Sequence, residues 1–231
     1  MTIKEAVKER HMVRKYMDKT IPANLVELLN ARIAENNKNY GLNLTLVTGN
    51  GDGLGGMAKL FLARGVNNYI ILAGTDAPDL DEKLGYCGSD VILYAQTLGL
   101  NTWWVGGMFS KKGAERNMGT DSARVNGIIA VGYGQTQGTP HKSKTADEIS
   151  QYNGAAPQWF LDGIDALLCA PTAMNKQAYM VKGDGNKVSI TCNSGHFAGI
   201  DLGIGKYHFE AGAGKENFQW ASTSFSRNTL I

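Results

Sequence analysis

The stretch Arg10-His11-Met12-Val13-Arg14-Lys15-Tyr16, running on into Met17-Asp18-Lys19-Thr20-Ile21-Pro22, decides how this chain is read. Its first six residues hold two arginines four apart, a histidine and a lysine, so four potential cations share one short segment. A phosphate monoester suits such a place, because arginine presents two parallel N–H donors that match two phosphate oxygens. A solvated charge run beside a first helix accounts for the same residues. Upstream, Ile3, Ala6 and Val7 predict a short amphipathic helix over Thr2 to Glu9 that delivers the cations to one edge of the fold. Downstream, Pro22 predicts a helix start, with Leu25, Leu28, Leu29, Arg32 and Ile33 at helical spacing.

Beyond that helix, short apolar runs alternate with glycine-rich turns. Leu42, Leu44 and Leu46 predict a strand that ends in Asn50-Gly51-Asp52-Gly53-Leu54-Gly55-Gly56. A short helix through Phe61 leads to a strand over Tyr69 to Ala73. Gly88 to Gly99 predicts a buried helix with Val91, Ile92, Ala95 and Leu98 on one face. Thr102 to Val105 predicts a strand that stops at Gly106-Gly107, and Ile128 to Val131 another, closed by Gly132-Tyr133-Gly134. Gln135 to Ser150 is polar, lacks an apolar period and marks an internal boundary. After it the chain begins again: Leu28-Leu29-x-Ala31-x-x-Ala34-x-Asn36 recurs 139 residues on as Leu167-Leu168-x-Ala170-x-x-Ala173-x-Asn175. Gly88-Ser89-Asp90 likewise pairs with Gly199-Ile200-Asp201, each read as a helix start. One domain over 1–231 made of two similar halves, about 1–134 and about 150–231, is expected from this degenerate repeat.

Composition narrows the function classes. A content of 43% hydrophobic and 19% charged residues is that of a soluble globular protein. A net charge of +2 with no dense Lys/Arg block leaves no electrostatic footprint for nucleic acid. No apolar run reaches the length of a membrane span, and the start does not read as a secretory leader. Three cysteines, Cys87, Cys169 and Cys192, are odd in number and lack metal spacing, so reduced thiols, no metal and a cytoplasmic location are expected. His196, His208 and Glu210 have no nucleophile partner, which leaves hydrolase chemistry without support. Trp103, Trp104, Trp159 and Trp220 read as core or interface residues.

Three stretches, in order, carry a resemblance. Arg10-His11-x-x-Arg14-x-Tyr16 before Ile21-Pro22 is one. Gly85 to Asp90, with Leu98-Gly99-Leu100-Asn101-Thr102 and Trp104-Val105-Gly106-Gly107, is the second. Ala170-Pro171-Thr172-Ala173-Met174-Asn175-Lys176-Gln177 is the third. Each has a plain structural account: a flanking charge run, a buried helix with turn glycines, and a helix stop followed by a turn. Together they resemble the nitroreductase-like FMN oxidoreductases over most of residues 5 to 212, in particular the double-repeat subgroup that gathers the two-subunit site into one chain.

The resemblance implies an α+β fold, mainly antiparallel sheets flanked by helices, with FMN in the cleft between the halves. It implies hydride transfer from NAD(P)H through flavin N5 to a small-molecule acceptor such as a nitroaromatic or quinone, with no side-chain catalyst. Arg10 and His11 are expected at the phosphate and ribityl chain, and Arg14 at the N1–C2=O end of the ring. Met12 stands where the family has Ser. Gly88 is expected to offer its backbone N–H to N5, with Gly106 and Gly107 closing that signature. Pro171, Thr172, Ala173, Asn175 and Gln177 are expected to close the site from the second half. Ala178-Tyr179 replaces the family's Pro-Trp. Lys142 or Lys144 is a further phosphate candidate, with a solvated linker as the alternative, and Asn68 a pyrimidine contact. The chain is expected as a pseudo-dimeric monomer or a homodimer. Two rivals remain open here. One is a flavin-binding protein without turnover, motivated by Met12 and Ala178-Tyr179. The other is an NAD-binding dehydrogenase using the fingerprint Gly51-x-Gly53-x-x-Gly56 with Asp76 as the ribose acid.

Overall fold

The computed structural model describes residues 1–119 and 123–221; residues 120–122 and 222–231 lie outside it, including most of the C-terminal tail. Helix α1 (Ile3–Glu9) starts in a capping box, where Thr2 and Glu5 satisfy each other's backbone N–H groups. Helix α2 (Ala23–Tyr40) follows Pro22, as the proline predicts, and stops at Gly41 in the left-handed conformation. Then come β1 (Thr45–Val47), α3 (Gly56–Phe61), β2 (Tyr69–Gly74), α4 (Leu80–Thr97), β3 (Asn101–Val105), α5 (Lys111–Met118) and β4 (Arg124–Gly132). The remainder is α6 (Ala146–Ile149), β5 (Ser150–Tyr152), α7 (Gln158–Leu168), β6 (Tyr179–Asp184), β7 (Lys187–Cys192), α8 (Ala198–Ala213) and β8 (Gln219–Trp220).

The strands form two four-stranded sheets, β1-β2-β4-β3 and β5-β6-β7-β8. The first is antiparallel throughout, with Ile70 opposite Ile129 and Trp103 opposite Ala130. The second pairs β6 with β7 antiparallel but takes β5 and β8 in parallel at its edges. Strand β2 is apolar at nearly every position because both its faces are covered. Tyr69, Ile71 and Ala73 face one core with Trp103 and Ile128, while Ile70 and Leu72 face the other with Leu84, Val91 and Ile92 of α4. Helix α8 covers the second sheet, with Ile200, Ile204 and Phe209 against Val181 and Ile190.

Helices α4 and α8 join the two sheets, and glycine sets their spacing. A Cβ on Gly85 would stand 2.1 Å from the Ile200 carbonyl oxygen, and one on Gly203 would stand 1.9 Å from that of Glu82. Only a missing side chain permits such backbone contact.

Four expectations need correction. The buried helix begins at Leu80, not at Gly88, which lies in its third turn with Trp104 against it. Gly199 sits in the first turn of α8, so Gly88 and Gly199 are not matching helix starts. The 139-residue match also fails locally: Asn36 is inside α2, whereas Asn175 is in a kinked 3₁₀ turn. Finally, β1 and β2 are antiparallel and α3 has six residues, so Gly51, Gly53 and Gly56 do not open the parallel βαβ crossover that a dinucleotide fingerprint requires. Two of those glycines have packing reasons instead. A Cβ on Gly53 would enter the Tyr69 ring, and one on Gly51 would meet the Val66 carbonyl.

Candidate active-site cleft

The segment after α1 is held along β3: Met12 bridges Thr102 in parallel, and the Val13 N–H donates to the Thr102 carbonyl at 3.1 Å. That pairing brings the cationic segment up against the tryptophans of β3. The Arg14 guanidinium lies 5.2 Å from the Trp103 ring centre, a cation–π distance. Opposite stands the turn after α7. There the Asn175 N–H donates to the Thr172 carbonyl at 3.0 Å and the Gln177 N–H to Thr172 Oγ1 at 3.1 Å. Met174, Asn175 and Gln177 have φ of 54°, 55° and 43°, the non-glycine residues in the left-handed region among those described. Such conformations cost roughly 1–3 kcal/mol each and persist where the surroundings hold them. Here Asp201, at the start of α8, accepts the Ala173 N–H, and the buried Gln177 amide donates to the Leu168 carbonyl at 2.9 Å.

Between these walls lies a cleft of about 530 Å³, within the range of small-molecule sites. Arg10, His11, Met12, Arg14, Gly106, Gly107, Pro171, Thr172, Ala173 and Asn175 line it, so most of the expected site residues meet in one place. Trp103, Trp104, Met108, Thr139, His141, Met174, Phe197, Asp201 and Ile204 line it too, and the sequence did not single them out as site residues. Five expected residues do not line it. Gly88 is enclosed in α4. The Asn68 side chain accepts the Gly49 N–H at 3.1 Å. The Lys142 carbonyl accepts the Asn175 amide at 2.7 Å, and Lys144 donates to the Gln177 carbonyl at 3.0 Å. Gln177 itself braces the turn from behind. The basic group that the polar linker sends to the cleft is His141, whose neighbours in sequence are the two candidates. Tyr179 is also turned away, its hydroxyl donating to the Asp201 carbonyl inside the second core.

The electrostatics are lopsided. Arg10 is 5% exposed and makes no ion pair among the described residues, and the Nε of both Arg10 and Arg14 lacks a hydrogen-bond partner. Burial pushes Arg10 down to about 10, which still leaves it cationic at neutral pH. Burial, then Arg10, holds His11 below the usual imidazole range. The carboxylate in the lining, Asp201, is raised by burial and tied to the Ala173 N–H. A buried cation without a counter-ion is costly unless an anion joins it. A second hollow of about 310 Å³ beside α2, α4 and α8 differs in this respect. Its Arg32 is held by Asp90 through bonds of 2.6 and 2.7 Å, and Lys215 by Glu210 at 3.0 Å. Its charges are already satisfied, whereas Arg10 in the larger cleft makes no ion pair among the described residues.

A family model described as "Putative TM nitroreductase" matches residues 2–213. The chain belongs to that family. Among solved structures, a "putative nitroreductase" of Thermotoga maritima MSB8 is similar at a TM-score of 0.64 and 19% identity, over 91% of this chain and 83% of that one. A nitroreductase family protein of Streptococcus pneumoniae TIGR4 is similar at 0.52 and 14% identity, over 64% and 98%. No curated protein sequence matches. At these identities the likeness is one of fold, and this family member has the nitroreductase-like α+β architecture of antiparallel-rich sheets and helices. Among the described residues of this nitroreductase-family protein, no helix is long and apolar enough to cross a membrane.

Proposed function

We propose that this protein is an FMN-dependent oxidoreductase whose flavin occupies the cleft between Arg10 and the Pro171–Asn175 turn. The observation that carries the reading is Arg10: a buried guanidinium with an unpartnered Nε, facing an apolar cleft and making no ion pair among the described residues. A flavin phosphate supplies that anion, and an isoalloxazine supplies the planar apolar body that Trp103, Trp104 and Phe197 can pack against. When bound, FMN supplies hydride exchange between NAD(P)H and an acceptor such as a nitroaromatic or quinone.

The chain's own residues bind and orient. Arg10 and His11 hold the phosphate end, joined by His141 in place of Lys142 or Lys144. Arg14, fixed over Trp103, brings positive charge to the ring, where reduced flavin is anionic. Thr172 still has its hydroxyl hydrogen to donate after accepting from Gln177, and Asn175 keeps its carbonyl oxygen. Beyond its chain neighbours, Gly107 has no atom within 4 Å of where its Cβ would stand, so that side of its backbone is open to a ring approaching from the cleft. Gly106-Gly107 therefore takes over the backbone role expected of Gly88.

The same proposal includes two diverged copies of one unit, a pseudo-dimer in a single chain. Its support is a common shift of 118 residues, which takes the start of β2 (Tyr69) to that of β7 (Lys187). It also takes the start of α4 (Leu80) to that of α8 (Ala198), and that of β3 (Asn101) to that of β8 (Gln219). The shift also carries Gly85 onto Gly203, the two contact glycines. Tyr179 lies outside the cleft lining, so Ala178-Tyr179 no longer argues for a flavin protein without turnover.

The test is the visible spectrum of the purified protein after loading with FMN and removal of the excess. Retained flavin bands that bleach with NAD(P)H and recover on adding a quinone support the reading. Arg10→Ala should weaken FMN binding by roughly 2–5 kcal/mol if the pair is buried. A wild-type protein that keeps no flavin would overturn the proposal.

A further inference from the structure

We infer that α3 and the adjoining Met108 form a docking face for an anionic lipid surface. Helix α3 buries Ala58 and leaves Met57, Leu60 and Phe61 at 67%, 73% and 68% exposure. Three large apolar side chains on a six-residue helix make an unpartnered patch rather than scattered exposure. The patch continues toward the cleft. The Gly55 N–H donates to the Met108 carbonyl at 3.0 Å and Leu54 bridges Phe109, so exposed Met108 stands beside α3 while lining the cleft mouth.

Cations border this patch. Lys59 is on α3 itself; Arg64 follows it and is bridged in parallel to Lys15. Lys112 lies in the first turn of α5, just after Ser110, whose N–H donates to the Gly53 carbonyl at 2.7 Å. All four are exposed, and none makes an ion pair among the described residues. The nearby carboxylates are already engaged, Asp52 with Arg116 at 3.5 Å and Glu115 with Lys111 at 3.8 Å. A second copy of the chain fits this surface poorly, because a two-fold contact would gather two sets of the same unpaired cations into one interface. Apolar side chains ringed by unpaired cations fit an anionic bilayer instead: the side chains enter the interface and the cations meet lipid phosphates. The face sets the cleft mouth at headgroup level, where an acceptor dissolved in the bilayer enters without crossing water.

The experiment is cosedimentation of the full chain with phosphatidylcholine vesicles made with and without phosphatidylglycerol. We expect binding to the anionic vesicles alone, weakened by added salt. Reversing two charges in Lys59→Glu/Arg64→Glu should lower the bound-to-free ratio more than about tenfold. Leu60→Ser/Phe61→Ser should lower it as well. These side chains are exposed, so circular-dichroism melting and flavin retention should match wild type in both variants. Three outcomes overturn the inference: no binding to anionic vesicles, equal binding to neutral ones, or undiminished binding by the variants. A wild-type dimer in sedimentation equilibrium that Leu60→Ser/Phe61→Ser converts to monomer also overturns it, since a second copy then covers the face. Loss of flavin from wild type with vesicle binding intact would count against the cofactor, not against docking.

Discussion

The Asp201 carboxylate accepts the Ala173 N–H through both oxygens, at 3.1 and 3.3 Å, tying the first turn of α8 to the left-handed turn on the same wall of the cleft. Asp201 is 2% exposed, so the bond is shielded from water. The same side chain thus holds one wall of the cleft and supplies a carboxylate of its lining.

Replacing Asp201 separates these roles. Asp201→Ala leaves the Ala173 N–H without its acceptor beside three strained residues, at a cost of roughly 1–3 kcal/mol. Both the urea midpoint and FMN affinity should fall. Asp201→Asn keeps an acceptor oxygen and removes a charge that burial already disfavours, so stability should hold or rise. An alanine variant with unchanged midpoint and flavin affinity would show that Asp201 does not shape the turn.

The glycines make a sharper contrast. Gly203→Ala drives a methyl to 1.9 Å from the Glu82 carbonyl oxygen, and helix backbone has no rotamer with which to yield. A loss of more than about 3 kcal/mol, or failure to fold, is expected, because overpacking costs about 1–3 kcal/mol where side chains can shift. Gly107→Ala meets nothing within 4 Å and should leave thermal unfolding unchanged. Its effect should appear instead in flavin affinity or in the rate of reduction by NAD(P)H. Equal melting temperatures for Gly203→Ala and wild type would refute the close helix contact.

Much of this was legible in the sequence because it is local. Pro22 marks a helix start, and β2 to β4 follow their apolar runs. The Arg10 segment and the Pro171 turn were paired through resemblance, and the fold places them on one cleft. What escaped notice depends on partners far along the chain. Asp81-Glu82-Lys83 carries no local sign of its partners, yet it lies in the first turn of α4, with Arg124 donating to Asp81 and Lys206 to Glu82. Phe197 and Asp201 reach the cleft only because α8 docks against α4. His141 and Lys142 are neighbours in a linker without period, and nothing local says which one turns inward. The rival fingerprint at Gly51 failed for a similar reason, since strand direction is set by pairing and not by the glycines between.

His208 gives a pH test that needs no cofactor. It is 1% exposed on α8, with Nδ1 at 2.9 Å from the Ile204 carbonyl and Nε2 unpartnered. Burial, reinforced by Arg10 and His141, pushes it down to about 4, from the value of about 6.5 that an unfolded histidine has. The neutral ring is therefore the folded form, and the unfolded chain binds the extra proton. Stability is full above about pH 6.5 and falls as pH drops toward 4, by an amount on the order of 3 kcal/mol. His208→Gln is neutral throughout and should flatten that acid limb. Urea midpoints measured at pH 7.5, 6, 5 and 4.5, roughly spanning the window, would settle it. Parallel wild-type and His208→Gln curves would mean that the ring is solvated or charged in the folded state, contrary to its burial here.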